Sequence, residues 1–207
     1  SLNENAEIIS ANSGTNISVE VIGARRDNPK CDSGKTKIVR DIFEVSKYDI
    51  DVVVELIGGV DTARELILEA IKDKKHVVTA NKAVIYHHGD EIFSAARKNG
   101  VKVLYEAAVC AGTPIVKLLK EELAANNISK ISGMLNGTSN FILSNMEEGS
   151  EFMSTLELAQ KEGYAEPDPT FDIEGMDAAH KIGILSSIAY GTSLPPEEFH
   201  VEGITKI

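Results

Sequence analysis

Two textures of apolar residue alternate along the first half of the chain. Residues 17–24 (ISVEVIGA) are rich in β-branched side chains and lie between Gly14 and the polar run Arg25-Arg26-Asp27, which is the pattern of a strand. Residues 51–57 (DVVVELI) are almost continuously apolar and stop at Gly58-Gly59, predicting a strand covered on both faces. Asp61 then reads as the N-cap of a helix that turns Leu66, Ile67, Ala70 and Ile71 toward a core. Residues 76–79 predict a short strand, 91–98 a helix closed by Gly100, and 101–105 another strand. Strand, helix, strand, helix, strand between residues 50 and 106 is the order of a parallel sheet with right-handed crossovers. Past residue 112 the order changes. A helix over 113–123 tolerates Pro114 in its first turn, a strand is predicted over 128–135, and helices follow around 141–146, 152–161 and 175–190. The expected fold class is α/β, a parallel sheet over residues 1–112 followed by an α+β domain over 113–207.

The 207 residues suffice for a core of their own, with 43% hydrophobic and 26% charged residues. Lys and Arg number 21 against 32 Asp and Glu, a net charge of −11 that disfavours nucleic acid or an anionic membrane surface as partner. Two cysteines, Cys31 and Cys110, are too few for a disulfide framework or a four-cysteine zinc site and suit a reducing compartment. No apolar run approaches 18 residues, and the opening Ser1-Leu2-Asn3 is no signal peptide. A soluble cytoplasmic protein is expected.

Ligands of open α/β sheets bind at the carboxyl ends of the strands, where three unusual groups stand. Gly58-Gly59 could let backbone approach a flat ligand or simply form a turn. Lys82, just past the strand ending VVT, could face that ligand or be solvated. Arg25 could accept a cofactor 2′-phosphate or be a surface charge. The densest polar cluster holds Glu166, Asp168, Asp172, Glu174, Asp177 and Lys181. Asp177, Lys181, Ile184 and Ile188 form one stripe of an otherwise apolar helix, so Lys181 should be partly buried and paired with Asp177. A paired lysine in a dry cleft can polarise a carbonyl or donate a proton; the same spacing also makes an ordinary helix ion pair. The five histidines show no metal-ligand spacing, and the nucleophile elbow of the α/β-hydrolases is absent.

Five stretches, in order, resemble homoserine dehydrogenase: VELIGG ending at Gly59, HVVTANKA through Lys82, YEAAVCAGTPI ending at Ile115, MLNGTSNFIL ending at Leu143, and GYAEPDPTFDIEGMDAAHKI from Gly163 to Ile182. The resemblance covers roughly residues 50–207 and implies NAD- or NADP-dependent interconversion of L-homoserine and L-aspartate 4-semialdehyde, toward threonine, methionine and isoleucine. It further implies a Rossmann-type domain over 1–112 and a substrate-binding, dimerisation domain over 113–207, in a homodimer or homotetramer. By that resemblance Lys181 is the proton donor, Asp177 its companion and a substrate contact, and Lys82 a second active-site lysine between nicotinamide and substrate. Glu166 and Asp172 would hold the substrate, with Gly58, Gly59, Lys82 and Arg25 at the cofactor. The carbonyls of Glu106, Val109, Ala111 and Thr113 match a sodium-binding loop of the family.

The family's opening strand and G-x-G-x-x-G turn are not present, and residues 3–10 resemble the tail of the helix that follows that turn. A truncated cofactor domain that binds dinucleotide poorly is therefore expected. A sugar-type Rossmann dehydrogenase and a non-catalytic assembly module are the competing readings.

Overall fold

The computed structural model describes residues 2–29, 33–192 and 200–207; Cys31 lies outside them. Three parallel strands, β3 (Val52–Glu55), β4 (His76–Thr79) and β5 (Val103–Leu104), form one sheet in that order. A second parallel pair joins β1 (Val21–Gly23) to β2 (Lys37–Val39). Helix α1 (Ala6–Ser13) precedes them, and a 3-10 helix (Ile42–Lys47) follows β2. Helices α2 (Asp61–Lys72) and α3 (Lys82–Asn99) are the crossovers of the three-stranded sheet.

The register explains which face is covered. Val53, Val77 and Val103 align across the strands and are buried with Ile67 and Ile71 of α2 and Val84 and Ile92 of α3. Val54 and Leu104, on the opposite row, are 57% and 55% exposed. The expectation that residues 51–57 are covered on both faces is thus corrected: helices pack on one face only, and the outward valines are open in this chain. Asp61 is also corrected from N-cap to first helical residue. Val60 is the cap, and the Asp61 carboxylate sits in the first turn, where the helix dipole favours it.

Helix α3 starts nine residues before the predicted 91–98. Asn81 caps it by accepting from Val84 N at 3.2 Å, and Gly100 closes it with φ 71°. Lys82 therefore opens a helix rather than trailing a strand.

Beyond the sheet lie α4 (Ile115–Lys117), continued by a wider turn over Leu118–Glu122, then α5 (Gly137–Glu147), α6 (Phe152–Glu162), α7 (Thr170–Ile173) and α8 (Met176–Tyr190). Residues 128–135 are corrected from strand to extended chain without a ladder partner among the described residues. Ile128, Ile131 and Leu135 lean on the core while Met134 is 56% exposed, so the apolar residues of this run are satisfied by packing alone. The main core runs from Val53 through Val116 and Leu119 to Ile184 and Leu185, and a smaller one gathers Ile142, Leu156, Ala159 and Ala165. No helix among the described residues is long and apolar enough to cross a membrane.

Candidate active site

Helix α8 packs across α3 and brings residues nearly a hundred positions apart into one cluster. Asp177 is its centre. Its Oδ1 lies 2.7 Å from Lys82 Nζ and its Oδ2 lies 2.8 Å from Lys181 Nζ. The Asp177 side chain is 5% exposed, against 18% for Lys181 and 30% for Lys82, so the anion is sealed while the cations keep an outlet. Lys181 also donates to Leu135 O at 2.8 Å. Burial pushes the Asp177 carboxyl up, but hydrogen bonds from Lys181, Lys82 and Asn136 outweigh it and hold the group below its ordinary value. Two ammonium groups on one carboxylate can polarise a carbonyl, stabilise developing oxyanion charge and supply a proton.

Asn136 ties this centre to the acidic segment. Its Nδ2 donates to Asp177 Oδ2 at 2.9 Å and to Asp172 Oδ1 at 2.7 Å, while its Oδ1 caps α5 by accepting from Ser139 N at 2.7 Å. Thr138 Oγ1 adds a 3.1 Å bond to Asp172 Oδ2. Buried Asn136 carries no reactive group of its own; its mark in the sequence is a cap signal, an asparagine three residues before a helical serine. Glu166 is not brought in: its side chain is exposed, and only its carbonyl is engaged, by Gln160 Nε2 at 3.2 Å.

A second cleft of about 330 Å³ opens at the carboxyl ends of β1 and β3. Arg25, Gly58 and Gly59 line it together with Gly23 and Thr62. Both Gly58 and Gly59 have φ near 70°, and a Cβ on either would point into open space. A flat ligand can therefore lie against bare backbone here, which fits a dinucleotide. Buried Glu55 links this turn to the lysines. It accepts from Ile57 N at 2.9 Å and from Thr79 Oγ1 at 2.5 Å; Thr79 Oγ1 in turn accepts from Asn81 N at 2.9 Å. Asn81 Nδ2 donates to Gly59 O at 2.7 Å, immediately before Lys82.

In the loop after β5, the Glu106 carboxylate accepts from Val116 N and Lys117 N at 2.7 and 2.8 Å and so caps α4. Ala111 adopts a left-handed φ of 47°, which folds the Val109–Thr113 backbone back on itself. No group of three or more His, Cys, Asp or Glu side chains among the described residues could hold a metal ion, so a cation here would depend on backbone carbonyls.

His180, one position before Lys181, is 4% exposed, and its Nδ1 has no partner. Burial, with His87 and Lys82 nearby, pushes the imidazole down to about 4 against an upward pull from Asp177. The unfolded chain binds a proton there near pH 6.5 while the folded one does not, so stability should fall as pH drops from about 6.5 toward 4. At pH 5 the loss is roughly 2 kcal/mol relative to pH 7. Urea unfolding of the native protein and of His180→Phe should show this difference in slope; parallel curves would contradict it.

Comparisons with known proteins agree with one another. Residues 3–106 match the family model "Homoserine dehydrogenase, NAD binding domain", and residues 114–207 match the model "Homoserine dehydrogenase". A homoserine dehydrogenase of Pseudomonas aeruginosa is 55% identical, the match covering 100% of this chain and 48% of that protein. The crystal structure of a homoserine dehydrogenase from Thiobacillus denitrificans superposes with a TM-score of 0.93 at 48% identity, over 100% of this chain and 48% of its own. A hyperthermophilic archaeal homoserine dehydrogenase in complex with NADPH gives 0.75 at 34% identity, over 84% of this chain and 53% of its own. The chain spans about half the length of the curated relatives it matches.

Proposed function

Because the chain belongs to the homoserine dehydrogenase family, we propose that the protein carrying it interconverts L-aspartate 4-semialdehyde and L-homoserine with NADP or NAD. The observation that carries this reading is the single buried carboxylate of Asp177 holding both Lys82 and Lys181. Residues 1–112 would bind the dinucleotide, with Gly58, Gly59 and Arg25 in the cleft at the strand ends and Lys82 at its border. Residues 113–207 would bind substrate and form the oligomer contacts.

When bound, the nicotinamide supplies the hydride. As the new C–H bond forms at the aldehyde carbon, the carbonyl π pair moves onto oxygen, and Lys181 stabilises that charge and donates the proton. Asp177 holds Lys181 in place through their 2.8 Å ion pair, and Lys82 adds positive potential from the cofactor side. Asp172, fixed by Asn136 and Thr138, and the more distant Glu166 offer carboxylates to the substrate ammonium. A sodium ion at the carbonyls of Glu106, Val109, Ala111 and Thr113, a homodimer or homotetramer, and a cytoplasmic location complete the proposal.

The test is aldehyde-dependent oxidation of NADPH and NADH, followed by absorbance. Turnover with L-aspartate 4-semialdehyde and none with cyclic sugar substrates is expected. Reduction of NADP or NAD by the cyclic sugars, or oxidation of NADPH with no aldehyde present, would overturn the assignment.

A further inference from the structure

Lys82 and Tyr86 stand one turn apart on α3; Asp177 and His180 stand one turn apart on α8. The two helices therefore meet at two adjacent rungs. One is the Lys82–Asp177 ion pair at 2.7 Å; the other is a face-to-face stack of Tyr86 on His180, with centroids 4.1 Å apart and planes inclined by 22°. We propose that the Tyr86–His180 stack is a positioning device that sets the register of α3 against α8, and so places the Lys82 ammonium for the reaction. The inference rests on the dehydrogenase reading above.

A lysine reaches its partner through four rotatable bonds and tolerates a sliding helix, whereas two stacked flat rings do not. His180 is suited to that role by its ring contacts. Its ring partners are Tyr86 face-on and His87 and Phe171 edge-on, each of the latter at 5.2 Å. Its Nδ1 makes no hydrogen bond, while three aromatic rings pack on the imidazole. Phe171 closes the arrangement from α7, its ring 5.2 Å from Lys82 Nζ as well as against His180. The charged and titratable groups that act on the His180 ring are Lys82 and His87 on α3 and Asp177 on α8. Two cations already share Asp177, so a neutral ring leaves their pairing undisturbed where a third cation would compete for it.

The experiment compares His180→Leu, Tyr86→Leu, His180→Phe and Tyr86→Phe in the full protein. The leucine variants keep apolar volume and lose the stack; the phenylalanine variants keep a ring. A misplacement of about 1 Å at a reacting group can lower the rate by about 10²-fold. Each leucine variant should therefore lose about 10- to 100-fold in kcat, with cofactor Kd, read by fluorescence, unchanged. Each phenylalanine variant should stay within about threefold of native, and the double leucine variant should be no worse than either single one, since one unit has been removed. Native kcat in the leucine variants, whatever their melting temperature, would reduce the pair to packing and overturn the inference. His180→Phe as slow as His180→Leu would overturn it too. An inactive native protein would instead sink the dehydrogenase reading, a distinct result.

Discussion

Replacing Lys181 with methionine is expected to lower kcat/KM for semialdehyde reduction by about 10²- to 10⁴-fold, the range a positioned proton donor contributes. Methionine nearly matches the lysine stem, so the apolar contacts of α8 persist. Asp177 keeps Lys82 and Asn136 as partners and is not stranded. The group left alone is Leu135 O, which loses its 2.8 Å donor; that omission costs about 1–3 kcal/mol and should lower the melting temperature without unfolding the protein. Activity and far-ultraviolet circular dichroism measured on the same sample separate the two effects. A folded variant with native kcat/KM would remove Lys181 from the chemistry.

Asp177→Leu should be worse on both counts. It strips the counter-ion from two lysines that are 30% and 18% exposed and takes a hydrogen-bond acceptor from buried Asn136. Removing one partner of a buried ion pair typically costs about 3–5 kcal/mol, and here both lysines lose their anchor at once. A fall of that size in urea unfolding free energy is expected, with activity at or below that of Lys181→Met. Asp177→Asn keeps the shape but turns an amide N–H toward one ammonium, so it should recover part of the stability and little of the rate. Native stability in Asp177→Leu would show that the ion-pair cluster contributes nothing to the fold.

The parts of this site legible in the sequence are those set by local periodicity. Asp177 and Lys181 are four residues apart on an apolar helix, and their 2.8 Å pairing follows from helix geometry. Gly58, Gly59 and Arg25 each follow a strand, and the three line a common cleft at those strand ends. What stayed hidden depends on tertiary contact. That Lys82 meets Asp177 requires α3 to begin at Lys82, and the weakly helical run Val84-Ile85-Tyr86-His87-His88-Gly89 obscures that start. Glu55 sits at an inward position of a valine strand, and its burial makes sense only once Thr79 and the Ile57 amide are seen to bond it. Residues 128–135 hold a short run with Ile128, Ile131, Met134 and Leu135 that reads as a strand, but a ladder needs a neighbour, and the run itself cannot name one. Glu166 is near in sequence to the acids of the site, yet its side chain points to solvent, because the two prolines after it turn the chain before α7 begins.

The most direct measurement is a crystal structure of the protein with L-homoserine bound. The hydroxyl oxygen should lie about 2.6–3.2 Å from Lys181 Nζ, with the substrate ammonium against the Asp172 side of the cluster. Homoserine bound elsewhere, or with its hydroxyl beyond hydrogen-bond reach of Lys181, would contradict the account.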